Sequence, residues 1–507
     1  MKRFAFALLA AVSVLAITAQ QIDESRLTDW SGSGLHETLT YTQEIAIGDF
    51  NADKTGKTSC NDAFEQAVNK LGTNGGIIQF EAGTYLFTQS LKIPSNIYVK
   101  GQGSSKTTFV FDLGGKGNCI NFEGKLLGKG TTLLNKPKVG DKEFELSSAI
   151  PAGSYVFLRQ QNYTLTNDSW ALNHFGQIVC VANAKGNTIT VEEGLRFAIE
   201  KYDQVDVRQL NPVHNAGIGE LKIIRKDISN NKVANINFKY AVNCMVNGVE
   251  SEKTNYAHIV ASYSGYLHFY GNYFHHAFTY GTGGRAYGVL LHFSTSNCLI
   301  ENNIFEHLRH SMIVQAGANS NVFAYNYSID PYWKQSFFPT NTAGDIVLHG
   351  NWPYLNLFEG NVAQNLVIDG SHGKNGHFNT FFRNRIENTG VTCVGNPSSD
   401  KQNFIGNEIT GTGLLAGYFL LFGADHYSQY NLVGGTIEGT AIAPDKPSLY
   451  LEQKPEYFDA LNWPIAGDKD TYNTNKNAAQ VRFTSTKTTA LPVEVIKSKR
   501  RFFFRKK

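Results

Sequence analysis

Two short runs in this chain concentrate side chains that can move protons and hold anions. FEHLRHS carries Glu306, Arg309 and His310, and SHGKNGH carries His372, Lys374 and His377. Between them stand His349 in GDIVLHGN and Asp369 in NLVIDGSHG. No other part of the sequence is as dense in such residues. Imidazoles change charge near neutrality and serve as bases or acids, while guanidinium and ammonium groups suit a bound carboxylate. Removal of a proton next to a carboxylate needs this set: Arg309 or Lys374 to hold the anion, His349 or His310 as base, and Asp369 to orient a neighbouring imidazole and raise its basicity. His372 completes the catalytic candidates. Glycoside hydrolysis would instead need two carboxylates roughly 5 to 9.5 Å apart, and only Asp369, Glu306, Asp330 and Asp345 are near enough in the chain to offer a pair. No cofactor is required by either chemistry, and a Ca2+ ion bridging an acidic substrate is compatible with both.

These residues must be brought together by strands. Setting NCMVNG, YLHFYGN, NCLIEN, NVFAYN, NLFEGN, NTFFRN, QNFIGN and YNLVGG under one another aligns Gly248, Asn272, Asn302, Asn326, Asn361, Asn384, Asn407 and Gly435. The steps are 24, 30, 24, 35, 23, 23 and 28 residues, a period of about 23 to 24 with three longer turns. A period of that size marks a solenoid. Each unit holds three short apolar runs and no helical pattern, so the expected fold is all-β, a right-handed parallel β-helix in which like positions stack at about 4.8 Å. The Asn column reads as a structural ladder of stacked amides. In the preceding strands YGVLLHFS, HSMIVQAG, GDIVLHGN and NLVIDGSHG, the terminal polar residues His292, Gln315, His349 and Asp369 should form one stack beside the catalytic candidates.

Insertions in a solenoid gather on one face and wall a cleft. The two long turns, HHAFTYGTGGRAYG and SIDPYWKQSFFPTNTAGD, supply Tyr280, Tyr287, Tyr332 and Trp333, rings suited to stacking on sugars. With His292 and Gln315 they are the expected substrate-binding residues, in a groove bounded by Tyr280–Tyr287 and Tyr332–Phe338. Trp170 and His174 in NDSWALNHFG are further candidates for a wall.

The remaining chain divides by texture. Residues 1–19 have the charged start, apolar stretch and small residues of an export signal. Residues 20–122 hold an N-terminal capping helix, from about Asp62 to Leu71, and the first coils. Residues 123–212 interrupt the repeat as a small β-rich insert, 213–440 form the main β-helix, 441–490 a C-terminal capping segment, and 491–507 a basic tail. Asp49, Asn51 and Asp53 read as turn residues rather than a calcium loop. Formal charge is +3, but seven basic residues lie in the last eleven and Lys2 and Arg3 in the leader, so the body is at −6. Bulk charge therefore gives no nucleic-acid surface, and no apolar run beyond the leader is long enough to span a bilayer. The six cysteines are scattered without a C-x-x-C pair, which speaks against a zinc cage or disulfide scaffold and for buried thiols or one or two disulfides. Oligomeric state is not encoded in any of these patterns.

The stretch from Gly48 to Asp112, with GTYLF and IYVKGQGS, resembles the entrance segment of the pectate lyase-like, rhamnogalacturonase/epimerase-like superfamily of right-handed β-helices. The Asn-bearing repeats fit the same fold. That superfamily includes lyases, hydrolases, epimerases and binding proteins, so the resemblance implies a polysaccharide partner, and the export signal implies a secreted, periplasmic or cell-surface protein. Its polygalacturonase-like hydrolases carry N-T-D, D-D, G-H-G and R-I-K motifs; here Ser371–Gly373 and Arg385–Glu387 are partial echoes, and no D-D pair stands one turn before the histidine. The expectation is cleavage of an acidic, uronate-containing polysaccharide by β-elimination, with glycoside hydrolysis or non-catalytic glycan binding as the alternatives.

Overall fold

The computed structural model describes residues 22–491 except 162–164, 166–167, 173, 200–203, 282, 337–339 and 486–489. The expected export signal, the basic tail beyond Leu491 and Phe338 of the expected groove wall lie outside the described residues. Among those described, the stretch 242–440 contains no α-helix; apart from the closing antiparallel hairpin of Asn431–Val433 with Thr436–Glu438, it is built from short strands that pair with the equivalent strand one turn away, in parallel. One file of twelve such strands runs from Glu44–Ala46 to Tyr427–Gln429. The chain is all-β and coils as a parallel β-helix.

Stacking explains the apolar repeat. Phe323, Phe358, Phe381 and Phe404 each occupy the same position one turn on, with ring centroids 5.1, 5.3 and 5.1 Å apart and nearly parallel planes. Like side chains on like backbone bury themselves in columns, so a core of one residue type per column is self-consistent. The helix Asn61–Leu71 (α1) turns Ala63, Phe64, Ala67 and Leu71 into the same core as Ile78 and Phe80.

The amide ladder exists with two corrections. Its members are Asn272, Asn303, Asn326, Asn361, Asn384, Asn407 and Asn431, each donating its side-chain N–H to the next Oδ1 at 2.9–3.0 Å. Asn302 is one residue off the ladder, in a left-handed turn at φ 54°, where Arg482 donates to it. In NNIF either Asn could supply the amide, and the strand register selects the second. Gly435 likewise gives way to Asn431. A second ladder, Asn321, Asn356, Asn379 and Gln402, lies five residues upstream of the first and escapes a reading that follows only one column.

Strand Ile97–Lys100 pairs with Gly217–Gly219, and Ile120–Glu123 with Ile236–Lys239, as though the intervening residues were not there. Residues 125–211 contribute the strands of a separate sheet whose pairs are antiparallel. Residues 448–485, expected at the far end of the solenoid, lie along its flank. Tyr450, Phe458, Ile465 and Ala479 join a cluster with Ile304, Val322, Leu357 and Val362, because those strands expose an apolar outer face that needs cover.

One acid is enclosed in the coil. Asp345 accepts from Ser328 Oγ at 2.5 Å and from the backbone N–H groups of Gln364 and Asn365 at 3.1 and 2.8 Å. Burial nevertheless pushes its carboxyl up to about 7. The folded state thus holds this proton more tightly than the unfolded chain. The stabilisation is complete below the ordinary value of 3.8 and is lost as pH rises toward 7. Urea unfolding midpoints of the wild type should therefore fall between pH 4 and pH 7 more steeply than those of Asp345→Asn; equal slopes would contradict this.

Candidate functional site

Six consecutive strands carry the site: Ala257–Ser262 (β1), Tyr287–His292 (β2), His310–Val314 (β3), Ile346–Leu348 (β4), Val362–Asp369 (β5) and Arg385–Val394 (β6). Ser262 lies opposite His292, and Leu291, Val314, Leu348 and Ile368 share one register, with Asp369 opposite Val394. The leucine, valine and isoleucine face the core, so the next residues, His292, Gln315, His349 and Asp369, follow one another on the outer face. Phe293, Ala316 and Gly350 take left-handed φ of 48°, 48° and 77° immediately afterwards. That bend recurs at one level of the coil and fixes where each polar side chain emerges.

Within this file the side chains do different work. His292 is buried; burial brings its imidazole down to about 3, and its Nε2 lies 2.7 Å from Ser262 Oγ. Gln315 donates to the backbone carbonyl of His349 at 2.9 Å. The next two residues form an ion-pair contact: His349 Nδ1 is 2.7 Å from Asp369 Oδ2, close but outside hydrogen-bond geometry, and Asp369 Oδ1 accepts from Ser371 N at 2.8 Å. Burial opposes charge on Asp369, but His349 and the Ser371 hydrogen bonds outweigh it and hold the carboxyl well below its usual range.

A second imidazole–carboxylate pair stands beside the first. His372 Nδ1 lies 2.9 Å from Asp168 Oδ2, and Asn351 donates to the same oxygen at 3.0 Å. The rings of His349 and His372 are 5.0 Å apart at 89°. Asp168 comes from the residues between Tyr155–Gln161 and Phe175–Lys185, outside the coil. Sequence reasoning singled out its neighbours Trp170 and His174 but not Asp168, because nothing local to NDSWALNHFG pairs it with a histidine 204 residues away.

The site continues in both directions as a file of rings. Trp170, 41% exposed, meets His372 edge-on at 6.1 Å. On the other side His349 contacts His310 at 5.6 Å, His310 contacts Tyr287 at 5.3 Å, and Arg309 lies over Tyr287 at 5.9 Å and Trp333 at 5.0 Å. Burial, then the Arg309 cation and His349, hold the His310 imidazole well below its usual range. Its Nδ1 is 2.9 Å from the Gly344 carbonyl, which places the proton there and leaves Nε2 as an acceptor. The buried Nε of Arg309 and Nε1 of Trp333 have no hydrogen-bond partner.

Four expected members stand elsewhere. Lys374 is drawn to Asp400 at 3.1 Å. Tyr280 and Tyr332 close around His307, whose Nδ1 is 2.6 Å from Asp330, and with Phe278, Gly281 and Lys334 they line a cleft of about 790 Å³. That cleft adjoins the ring file through Gly281, whose carbonyl accepts from Arg309 at 3.3 Å. His174 is bonded to Tyr263 and packs on Phe293.

Comparison with solved structures places the fold. The tailspike of Pseudomonas phage phi297 aligns over 79% of this chain and 75% of its own at 12% identity, with a TM-score of 0.50. The tailspike of Acinetobacter baumannii bacteriophage AP22, solved with a capsular saccharide, aligns over 76% and 77% at 12% identity and 0.42. A hyperthermoactive exopolygalacturonase from Thermotoga maritima aligns over 75% and 83% at 12% identity and 0.43. The fold is a parallel β-helix. No family model and no curated protein sequence matches the chain. Among the described residues no helix is long and apolar enough to cross a membrane.

Proposed function

We propose that this protein acts outside the cytoplasm on an acidic, uronate-containing polysaccharide and cleaves it by β-elimination. The observation that carries the reading is the pair of imidazole–carboxylate dyads, His349–Asp369 and His372–Asp168, with rings 5.0 Å apart. His372 Nδ1 is hydrogen-bonded to its carboxylate and so keeps Nε2 on the opposite edge, while His349 Nδ1 meets Asp369 at ion-pair distance. Elimination needs one base and one acid on neighbouring atoms of a sugar unit. The His349 side chain is 8% exposed and that of His372 41%. The enclosed dyad suits the base that takes the carbon-bound proton, and the solvated one suits the acid that protonates the leaving oxygen. Arg309 is assigned to the substrate carboxylate, and neutral His310 accepts a sugar hydroxyl. Three of the carboxylates a hydrolase could use are engaged or enclosed: Glu306 by Tyr273, Asp330 by His307, and Asp345 within the coil.

The test is incubation with a panel of uronate polymers while ultraviolet absorbance of the unsaturated product and new reducing ends are followed together. Both should rise in parallel. Reducing ends without absorbance would make the protein a hydrolase, and retention on a polymer without either product would make it a binding protein. Trp170→Ala should raise KM about 2- to 12-fold with little change in kcat, because a stacked ring contributes roughly 0.5 to 1.5 kcal/mol. An unchanged KM would remove Trp170 from the groove.

A further inference from the structure

Away from the groove, three metal-ligating side chains converge at the seam between the N-terminal arm and the antiparallel sheet. A nitrogen of His36, Cys180 Sγ and a carboxylate oxygen of Glu192 all lie within 4.8 Å of one another. His36 Nε2 is 2.6 Å from Glu192 Oε2, and its Nδ1 is 3.2 Å from the hydroxyl of Tyr155, the residue opposite Cys180 on the adjacent strand. The six cysteines are all free, and Cys180 is 5% exposed. Glu37, Glu192 and Glu193 act together on both His36 and Cys180, so the spot is electronegative. Lys142 is the nearby ammonium, and it donates to the backbone carbonyl of Glu192 rather than to a carboxylate. A rival cluster, Glu250, Glu252 and His275, already contains its cation: Lys222 Nζ sits 2.8 and 2.7 Å from the two glutamates.

We propose that His36, Cys180 and Glu192 bind one divalent transition-metal ion of the Zn2+ class. The donor set is the argument. Imidazole nitrogen, thiolate and a single carboxylate match Zn2+, whereas Ca2+ and Mg2+ take oxygen ligands throughout. Metal–ligand bonds of about 2.0 to 2.3 Å require only that the partly exposed His36 and Glu192 side chains close on the buried sulfur. On binding, the Sγ–H bond breaks and its proton, with the one shared by His36 and Glu192, passes to solvent as the metal–sulfur, metal–nitrogen and metal–oxygen bonds form. A water fills the fourth position. No spacing rule finds this site, since its ligands are 36, 180 and 192 in the sequence. The ion would pin the arm to the sheet that also supplies Asp168, so its role is to brace that sheet rather than to touch the substrate.

The test uses the full-length protein stripped with a chelator and then titrated with Zn2+ against a chromogenic competitor, and in parallel with Co2+. One equivalent should bind, and the Co2+ form should show a sulfur-to-metal charge-transfer band. Cys180→Ser should abolish the band. Should that buried substitution prevent folding, His36→Gln, at a partly exposed position, takes its place and should weaken Zn2+ binding by more than the roughly 10- to 100-fold that losing a ligand's supporting partner costs. No stoichiometric binding, a Co2+ complex without the sulfur band, or unchanged affinity in His36→Gln would each overturn the proposal. None of these readouts depends on the reaction in the groove.

Discussion

His349→Gln is expected to lower kcat by roughly 10²- to 10⁴-fold on any polymer the wild type cleaves, the range a positioned proton-transfer group supplies. Glutamine keeps a polar group beside Asp369, so the carboxylate is not left alone and unfolding midpoints should move little. His372→Gln should cost as much if the second imidazole is the acid, and Asp168→Asn should act through it, reducing kcat less than loss of the ring. Arg309→Ala should act mainly on KM, because it holds a charge the substrate carries before and after the bond breaks. Lys374→Ala supplies the contrast. Its ammonium is committed to Asp400, so its removal should leave kcat within about twofold, far below the proton-transfer range. Retention of more than a tenth of wild-type kcat by both His349→Gln and His372→Gln would refute the two-dyad reading and leave the cluster as a polar surface of the coil.

The difference between Arg309 and Lys374 shows what a periodic sequence reveals. Once one column of a solenoid is in register, every side chain on those strands is placed, and His292, Gln315, His349 and Asp369 do share one file. Positions in the turns are not on the lattice. Arg309, on the last residue before β3, is carried to the groove by its strand; Lys374, five residues beyond the end of β5, follows its own turn to Asp400. Tyr280 and Tyr332 are visible in the sequence as loop aromatics, yet their partner His307 is set by how two turns fold on each other. Asp168 is out of reach for the same reason on a larger scale, since its position depends on how the separate sheet packs against the coil. The Asn302 slip has a simpler cause: two adjacent asparagines leave the amide column ambiguous by one residue, and only the pairing of Ile304 with Tyr273 and Tyr327 resolves it.

Asn361 should be the costliest single polar position in the coil. It is fully buried, and its Oδ1 accepts both the backbone N–H and the side-chain amide of Asn326, at 3.0 and 2.9 Å. Its own amide donates to the Phe323 carbonyl and to Asn384 Oδ1, each at 2.9 Å. Asn361→Ala therefore strands two donors above and a carbonyl beside it where no water reaches. At about 1 to 3 kcal/mol for each of the three unsatisfied groups, the loss is on the order of 3 to 9 kcal/mol. That is comparable with the whole stability of many domains. Asn361→Asp separates the hydrogen bonds from the volume. The shape is nearly the same, but the oxygen replacing the amide would face the Phe323 carbonyl and Asn384 Oδ1, acceptor against acceptor, with a charge added in the interior. It should be at least as destabilising as alanine in urea unfolding. If Asn361→Asp instead stayed within about 1 kcal/mol of wild type, packing rather than amide donation would be what holds this corner. Because β5 begins at the residue after Asn361 and ends at Asp369, both substitutions should also loosen the His349–Asp369 contact before the coil unfolds, seen as lost turnover at urea concentrations that leave the far-ultraviolet signal intact.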